Sequence, residues 1–173
     1  MTWQLRRALD IDVQDLWALL TIPDVYRYLC DGEPPPLSHV NAWVAFKDPR
    51  QRAFGFGFWL LENESHDLCG FVGLGPDPRP NTGELVYGLH PRCWGQGLAT
   101  RMGWTVMKRA FEDDGLDQVI AGADEPNSAS IAVMKRLGMT YLQRVQYPLG
   151  PGVEYALKSS DSRPSISTIR QVR

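Results

Sequence analysis

The chain has 173 residues and a formal net charge of −2. This length suits one domain with a substantial core, and the charge gives no electrostatic case for a nucleic-acid partner, which usually requires a basic patch. No run of about 18 apolar residues predicts a membrane span, and residues 1–7 lack the apolar core of a secretion signal. The cysteines are widely spaced and form no Cys-x-x-Cys pair, which indicates reduced thiols in a cytoplasmic protein.

The spacing of apolar residues and the positions of glycine and proline predict an alternation of strands and helices along the chain. In chain order, the predicted elements are a strand at 3–8, a helix after Asp10 or Asp12, a short helix from Pro23, a helix at 37–46, strands at 52–62, 67–75 and 84–90, a helix from 98 to about Phe111, a strand at 119–123, a helix from Asn127 to 137, and strands at 139–147 and 153–158.

The most informative stretch runs from Glu84 to Thr100. A strand candidate ends at Pro91, which has no N–H to give to a neighbouring strand. Gly95 and Gly97 then allow unusual backbone dihedrals and the close approach of a ligand. Because the free N–H groups of the following helix point back at this turn, the stretch predicts a phosphate-binding site.

The residue pattern distinguishes between kinds of phosphate site. A Walker loop requires Lys after its last glycine, where this chain has Leu98, and the dinucleotide fingerprint requires a third glycine, where it has Thr100. The pattern Arg92-x-x-Gly95-x-Gly97 instead resembles the pyrophosphate loop of the GNAT N-acetyltransferases, which bind acetyl-coenzyme A (acetyl-CoA). The sequence segments on either side of this pattern are most similar to those of the Rim-type branch, which acetylates protein N-termini and small amines.

The resemblance extends over roughly residues 5–157 and implies the GNAT fold. This is a mixed α/β (α+β) architecture with a central twisted mixed sheet of about seven strands flanked by helices. The predicted element order agrees with it, since a βαβ unit implies locally parallel strands. Residues 1–158 would form the acetyltransferase domain, and the polar, Ser-rich residues 159–173 are predicted to be a flexible tail.

The same resemblance implies acetyl-CoA as co-substrate and no metal. Asn127 would contact its pantetheine arm, although a helix N-cap role alone also explains this residue. Arg101 and Lys135 are further candidates for a phosphate contact. The expected cofactor-binding residues are Leu89, Arg92, Trp94, Gly95, Gln96, Gly97, Leu98, Ala99, Thr100 and Asn127.

Two residues are the candidate catalytic groups. Ser130 matches the hydroxyl position of the family's Asn-x-x-Ser helix, from which a hydroxyl can protonate the leaving thiolate. Because Met134 stands where other branches carry a tyrosine acid, Ser130 or a water molecule is left as the acid. Glu84 matches an acidic position of Rim-type sequences and would help to deprotonate the amine. An ordinary strand-edge carboxylate explains Glu84 equally well, and Asp77 and Glu33 are weaker candidates for the base.

These features predict an enzyme that moves an acetyl group directly from acetyl-CoA to a primary amine. The acceptor would be a protein N-terminus or a small amine such as an aminoglycoside or polyamine, and the acidic balance mildly favours a cationic small molecule. A homodimer follows from the resemblance alone. The alternatives are a non-catalytic acyl-CoA sensor or scaffold with the same fold, and a binder of a different phosphate compound.

Overall fold

The computed structural model of the protein describes residues 2–45 and 57–172. The predicted strand at 52–62 and the helix at 37–46 therefore lie partly outside the described residues. The helices are α1 Val13–Leu20, α2 Pro23–Tyr26, α3 Leu37–Val44, α4 Leu98–Glu112 and α5 Ser128–Arg136, with single 3-10 turns at Asp10–Asp12 and Pro91–Cys93. The strands are β1 Trp3–Arg7, β2 Gly57–Asn63, β3 Leu68–Pro76, β4 Thr82–Leu89, β5 Gln118–Asp124, β6 Thr140–Tyr147, β7 Gly150–Lys158 and β8 Arg170–Val172.

All the strands belong to one mixed sheet in the order β6-β7-β5-β4-β3-β2-β1-β8. The β4–β5 and β1–β8 pairs are parallel, and the other neighbours are antiparallel. The parallel β4–β5 pair confirms the predicted βαβ unit, with α4 as its crossover. Over residues 2–45 and 57–172 the sheet has eight strands, where about seven were predicted.

Helices cover both faces of this sheet. The apolar face of α4 packs with α5 on one face, and its buried side chains include Leu98, Met102 and Val106. The short helices α1, α2 and α3 cover part of the other face, where they pack on Leu60 and Phe71. We call these surfaces the α4–α5 face and the α1–α3 face. No helix within the described residues is long and apolar enough to cross a membrane.

The end of the chain differs from the prediction of a flexible tail, because it packs against the domain. Ile169 is 2% exposed, and its N–H donates a hydrogen bond of 2.8 Å to the Oγ1 of Thr105. Strand β8 then pairs with β1, and the guanidinium of Arg163 lies 4.4 Å from the ring centre of Phe111. The sequence does not indicate this packing, because isolated apolar residues in a polar segment show no helical or strand periodicity.

Replacement of Ile169 with alanine tests whether this packing stabilises the fold. We expect the free energy of unfolding to fall by about 2–4 kcal/mol, since a buried isoleucine loses both its transfer free energy and its close packing. Ile11 is 83% exposed, so the matched change Ile11→Ala is expected to cost less than about 0.5 kcal/mol. Urea denaturation measures both, and equal effects would contradict the packed end of the chain.

Candidate active site

The site is built around a separation of two neighbouring strands. The parallel strands β4 and β5 pair at Thr82–Gln118, Gly83–Val119 and Glu84–Ile120. β4 continues to Leu89 and β5 to Asp124, but among the described residues they pair no further. The facing edges of the two strands therefore keep free backbone polar groups, which favour an extended ligand with amide groups of its own.

A glycine turn leads from the end of β4 into α4. Gly95 and Gly97 have φ angles of 76° and 69°, which is the left-handed region that glycine adopts without steric cost. A Cβ built on either glycine would meet no atom within 4 Å. Gly97 is the N-cap residue of α4, and the first hydrogen bond of the helix runs from the N–H of Arg101 to the Gly97 carbonyl, 3.1 Å.

The backbone amides of residues 95–100 donate to no other group within the described parts of the chain. The Oγ1 of Thr100 is likewise buried without a hydrogen-bond partner there. Free N–H groups at a helix N-terminus, next to glycines that leave open space, fit a pyrophosphate. This loop therefore fits the phosphate-bearing cofactor predicted from the sequence. Leu98 anchors the loop because its side chain is buried.

The predicted basic contacts lie in different places. The Nη2 of Arg92 donates to the Leu68 carbonyl at 3.0 Å, so its side chain reaches the first residue of β3. Lys135 lies in the last turn of α5, at the far end from Asn127. The Nε of Arg101 is buried and has no hydrogen-bond partner in the described ranges.

Trp94 lies directly before the glycine loop. It is half exposed, and its Nε1 donates a hydrogen bond of 2.9 Å to the Leu89 carbonyl at the end of β4.

Asn127 and Ser130 meet at the start of α5. The Oδ1 of Asn127 accepts a hydrogen bond of 3.1 Å from the N–H of Ser130, which makes Asn127 the N-cap of this helix. The Oγ of Ser130 lies 2.7 Å from the Oη of Tyr87, and the same Oη donates to the Ser130 carbonyl at 3.2 Å. Burial raises the pKa of Tyr87 to about 12, although the hydrogen bond with Ser130 opposes this shift. The phenol therefore keeps its proton at neutral pH.

Sequence reasoning missed Tyr87. Strand alternation in β4 places Tyr87 with Leu85 and Leu89 on the α4–α5 face. Strand alternation predicts on which face of the sheet Tyr87 lies, but it cannot predict the contact with Ser130, because the two residues are 43 positions apart in the chain. Only the packing of α5 against the sheet brings the two hydroxyls together.

Glu84 lies on the opposite face of β4 from Tyr87, and the structure does not bring it together with Ser130. Its carboxylate keeps contact with solvent, but the surrounding protein desolvates it and raises its pKa. Asp77 and Glu154 raise the pKa further by charge repulsion, and Arg79 opposes them. Glu84 is also the last residue of β4 that pairs with β5, so it stands where the two strands separate.

Asp77 and Glu33, the other candidate bases, are less suited than Glu84 to accept a proton from the amine. Arg79 contacts Asp77 at 2.6 Å and Glu154 at 3.3 Å. Burial raises the pKa of Asp77, but hydrogen bonds from Arg79 outweigh that effect and lower it. Glu33 is exposed on the loop between α2 and α3. Of the carboxylates proposed as the base, Glu84 is therefore the one whose environment favours accepting a proton.

Comparison with known proteins identifies the family. The family model described as "Acetyltransferase (GNAT) domain" matches residues 4–140. The chain therefore belongs to the GNAT family, and the protein is an N-acetyltransferase that uses acetyl-CoA. The predicted family, fold, enzyme class and co-substrate are confirmed.

Individual relatives agree with this assignment. The chain is 26% identical over 160 residues to the uncharacterised protein YkkB of Bacillus subtilis, covering 90% of this chain and 92% of that one. It is 33% identical over 132 residues to the FsC-acetyl coenzyme A-N(2)-transacetylase of Aspergillus fumigatus, covering 70% of this chain and about half (55%) of the fungal protein. The aminoglycoside acetyltransferase AAC(6')-Ib, solved with coenzyme A, has the same fold with a TM-score of 0.72 at 15% identity, covering 91% of this chain and 95% of that one.

A pair of glycine substitutions tests the cofactor loop. Gly97→Ala and Gly115→Ala both place a methyl group at a left-handed φ, with no neighbouring atom within 4 Å. Both are expected to lower stability by about 1–2 kcal/mol. Only Gly97→Ala is expected to weaken coenzyme A binding, by about tenfold or more, because its methyl group occupies the space that the pyrophosphate would enter. Calorimetric titration with coenzyme A measures the difference, and an equal loss of affinity in both variants would contradict the placement.

Proposed function

We propose that the protein acetylates a primary amine of a small cationic acceptor, with Glu84 as the general base. The observation that carries this proposal is the position of Glu84, which stands where β4 and β5 separate and has a raised pKa. Acetyl-CoA supplies the acetyl group as an activated thioester. The amides of residues 95–100 would hold its pyrophosphate, Thr100 would add a hydroxyl, and Asn127 would steady the pantetheine arm.

Glu84 would act on the amine before it attacks. An aliphatic amine is protonated at neutral pH and becomes a nucleophile only after it loses a proton. An ionised carboxylate next to the ammonium group attracts it and can accept that proton, directly or through one water molecule. The raised pKa makes Glu84 a stronger base than an ordinary glutamate, because proton transfer improves as donor and acceptor pKa values approach each other.

Ser130 and Tyr87 would serve the departing sulfur. Their hydroxyls lie 2.7 Å apart, so they share one hydrogen bond and keep a second proton available. Burial keeps the single Tyr87 proton in place. When that proton turns from the Ser130 carbonyl to Ser130 Oγ, the Oγ proton is free to point outward toward the departing sulfur. Glu84 is on the α1–α3 face of the sheet, and the Ser130–Tyr87 pair is on the α4–α5 face. The amine would therefore lose its proton on one face, and the sulfur would receive a proton on the other.

The charge around Glu84 supports a cationic acceptor. Asp77 and Glu154 are close enough to raise its pKa, and the nearby Arg79 is engaged by both of these carboxylates. AAC(6')-Ib acts on an aminoglycoside, and we infer an acceptor that likewise carries amines. The Rim-type branch, with a protein N-terminus as acceptor, remains a prediction from the sequence, as do the cytoplasmic location and the homodimer.

Replacement of Glu84 with glutamine tests the proposal in an assay of coenzyme A release with a panel of amines. We expect kcat/KM to fall by about 10²–10³-fold with unchanged acetyl-CoA affinity. Because the Glu84 pKa is raised, the wild-type carboxylate becomes protonated, and activity is lost, as the pH falls through a value above that of ordinary glutamate. This acidic limb of the pH profile is expected to disappear in Glu84→Gln.

Glu112→Gln is the control for this change. Glu112 is exposed at the end of α4, 3.9 Å from Lys108, so its replacement removes the same charge away from the site and is expected to leave kcat/KM unchanged. Wild-type protein that binds acetyl-CoA without releasing coenzyme A in the presence of any amine would support the alternative of an acyl-CoA sensor.

Two further substitutions distinguish the roles of the Ser130 and Tyr87 hydroxyls. Ser130→Ala is expected to lower kcat by about 10–10²-fold without weakening acetyl-CoA binding, because it removes the outward proton donor. Tyr87→Phe keeps that donor but removes its partner, so a smaller loss of kcat is expected. Steady-state kinetics measure both variants, and a larger effect of Tyr87→Phe would make Tyr87 the proton donor instead.

A further inference from the structure

We propose that Asp124 is a specificity-determining residue whose carboxylate binds a second positively charged nitrogen of the acceptor, at a distance from the amine that is acetylated. This inference rests on the proposed function of the face that carries Glu84. It names the acceptor more narrowly as a diamine or longer oligoamine with a flexible apolar segment between its charged nitrogens.

The starting point is a buried carboxylate, one oxygen of which has no hydrogen-bond partner within the described residues. Asp124 is the last residue of β5 and is 7% exposed. Its Oδ1 has no hydrogen-bond partner within residues 2–45 and 57–172. Burial of such a group costs free energy unless a donor or a positive charge meets it. A carboxylate retained under these conditions points to a ligand that supplies the missing donor.

Strand register places this carboxylate on the same face as Glu84. Glu84 pairs with Ile120, and Asp124 follows Ile120 by four positions along β5. Because side chains alternate, both lie on the α1–α3 face. Glu154 is on this face as well, since it pairs with Gly122. With a rise of about 3.3 Å per residue, the backbone positions of Ile120 and Asp124 are roughly 13 Å apart.

An aromatic ring lies between the two carboxylates. A Cβ built at Gly122 or Gly152 would collide with the ring of Tyr147, so the glycines leave the space in which this ring lies. Burial raises the pKa of Tyr147 to about 12, and Glu154, Glu84 and Asp124 add to the shift by charge repulsion. Tyr147 is therefore neutral at pH 7, and it lies within the electrostatic influence of all three carboxylates. Its ring offers an apolar surface for the carbon chain of an amine, and aromatic faces also attract cations.

The loop between α2 and α3 closes the far side of this surface. A Cβ at Gly32 would lie 3.3 Å from the side chain of Leu149, in the β6–β7 turn. Burial raises the pKa of Asp124, a hydrogen bond from its own backbone N–H opposes this shift, and the charge of Asp31 in this loop raises the pKa further. Within the described residues, the cation that acts on this group of carboxylates is Arg79, which Asp77 and Glu154 already engage. The surface therefore keeps an excess of negative charge that an acceptor with two positive charges would balance.

The spacing limits the length of the acceptor. The distance of about 13 Å along β5 and the interval of about 4.8 Å between paired strands place the backbone positions of Glu84 and Asp124 roughly 14 Å apart. Side chains that lean toward each other would shorten the distance between the two carboxylates by a few ångströms. A linear diamine with about five to eight carbon atoms between its nitrogens fits the distance that is left between the two carboxylates. One nitrogen would meet Glu84 and lose its proton there, and the other would stay charged against Asp124.

A binding experiment tests the inference without relying on turnover. Protein saturated with coenzyme A, which has no acetyl group to transfer, is titrated with 1,5-diaminopentane and with pentylamine. We expect the wild type to bind the diamine at least about tenfold more tightly, and Asp124→Asn to reduce this preference to about twofold or less. Glu125→Gln removes the neighbouring charge, which pairs with Arg144 at 2.8 Å outside this surface, and is expected to keep the wild-type preference.

Thermal unfolding distinguishes a binding role from a structural one. If Asp124 binds an external cation, Asp124→Asn is expected to keep or raise Tm, because it removes an unpaired buried charge. A lower Tm would assign Asp124 to the fold and overturn the inference. Asp124→Glu retains the charge on a longer side chain and is expected to shift the preference toward a shorter diamine.

Two binding outcomes would also overturn the inference. Equal affinity of the wild type for the diamine and the monoamine would leave no second nitrogen site, and an unchanged preference in Asp124→Asn would place that site elsewhere. Absence of acetyl transfer in a separate assay with acetyl-CoA would refute the proposed function but leave these binding results as they stand. The two failures are therefore distinguishable.

Discussion

The parallel strands β4 and β5 hydrogen-bond over only three residue pairs, and the arrangement of the site depends on this limit. After the pairing ends, β4 leads into the glycine loop and α4, and β5 leads into the N-cap of α5. Because both strands run in the same direction, the N-termini of these helices lie at one edge of the sheet. The separation of the strands is therefore what lets a ligand held at the helix ends reach groups on both faces.

Several polar groups at this edge of the sheet have no hydrogen-bond partner in the described parts of the chain. The amides of residues 95–100, the Oγ1 of Thr100 and the Oδ1 of Asp124 find no partner among the described residues. By contrast, the buried Asp12 is paired, with a contact of 2.7 Å to Arg6. Natural proteins leave such groups open chiefly where a ligand satisfies them, at some cost to the stability of the free protein.

The parts of the site that the sequence predicts are local in the chain. Gly95, Gly97 and the start of α4 are neighbours, and the N-cap role of Asn127 requires only the three residues that follow it. The contact of Tyr87 with Ser130 joins a strand to a helix 43 positions away, which spacing cannot reveal. The direction of the Arg92 side chain depends on the Leu68 carbonyl of another strand. The packed end of the chain depends similarly on single apolar residues, such as Ile169, meeting a distant core.

The packing of Tyr147 over Gly122 and Gly152 also constrains how this enzyme can evolve. A larger side chain at either glycine would displace the ring, whereas a smaller residue at 147 would leave an unfilled groove that accepts new side chains from the sheet below. At Gly122 the changes are therefore ordered, because the side chain at 147 must become smaller before one can be added there. At Gly152 a Cβ would also lie 2.8 Å from the Ala123 carbonyl, so a smaller residue at 147 does not remove that barrier. On the proposed acceptor surface, such an exchange of volume between positions 147 and 122 would change acceptor preference without altering the glycine loop or the start of α5.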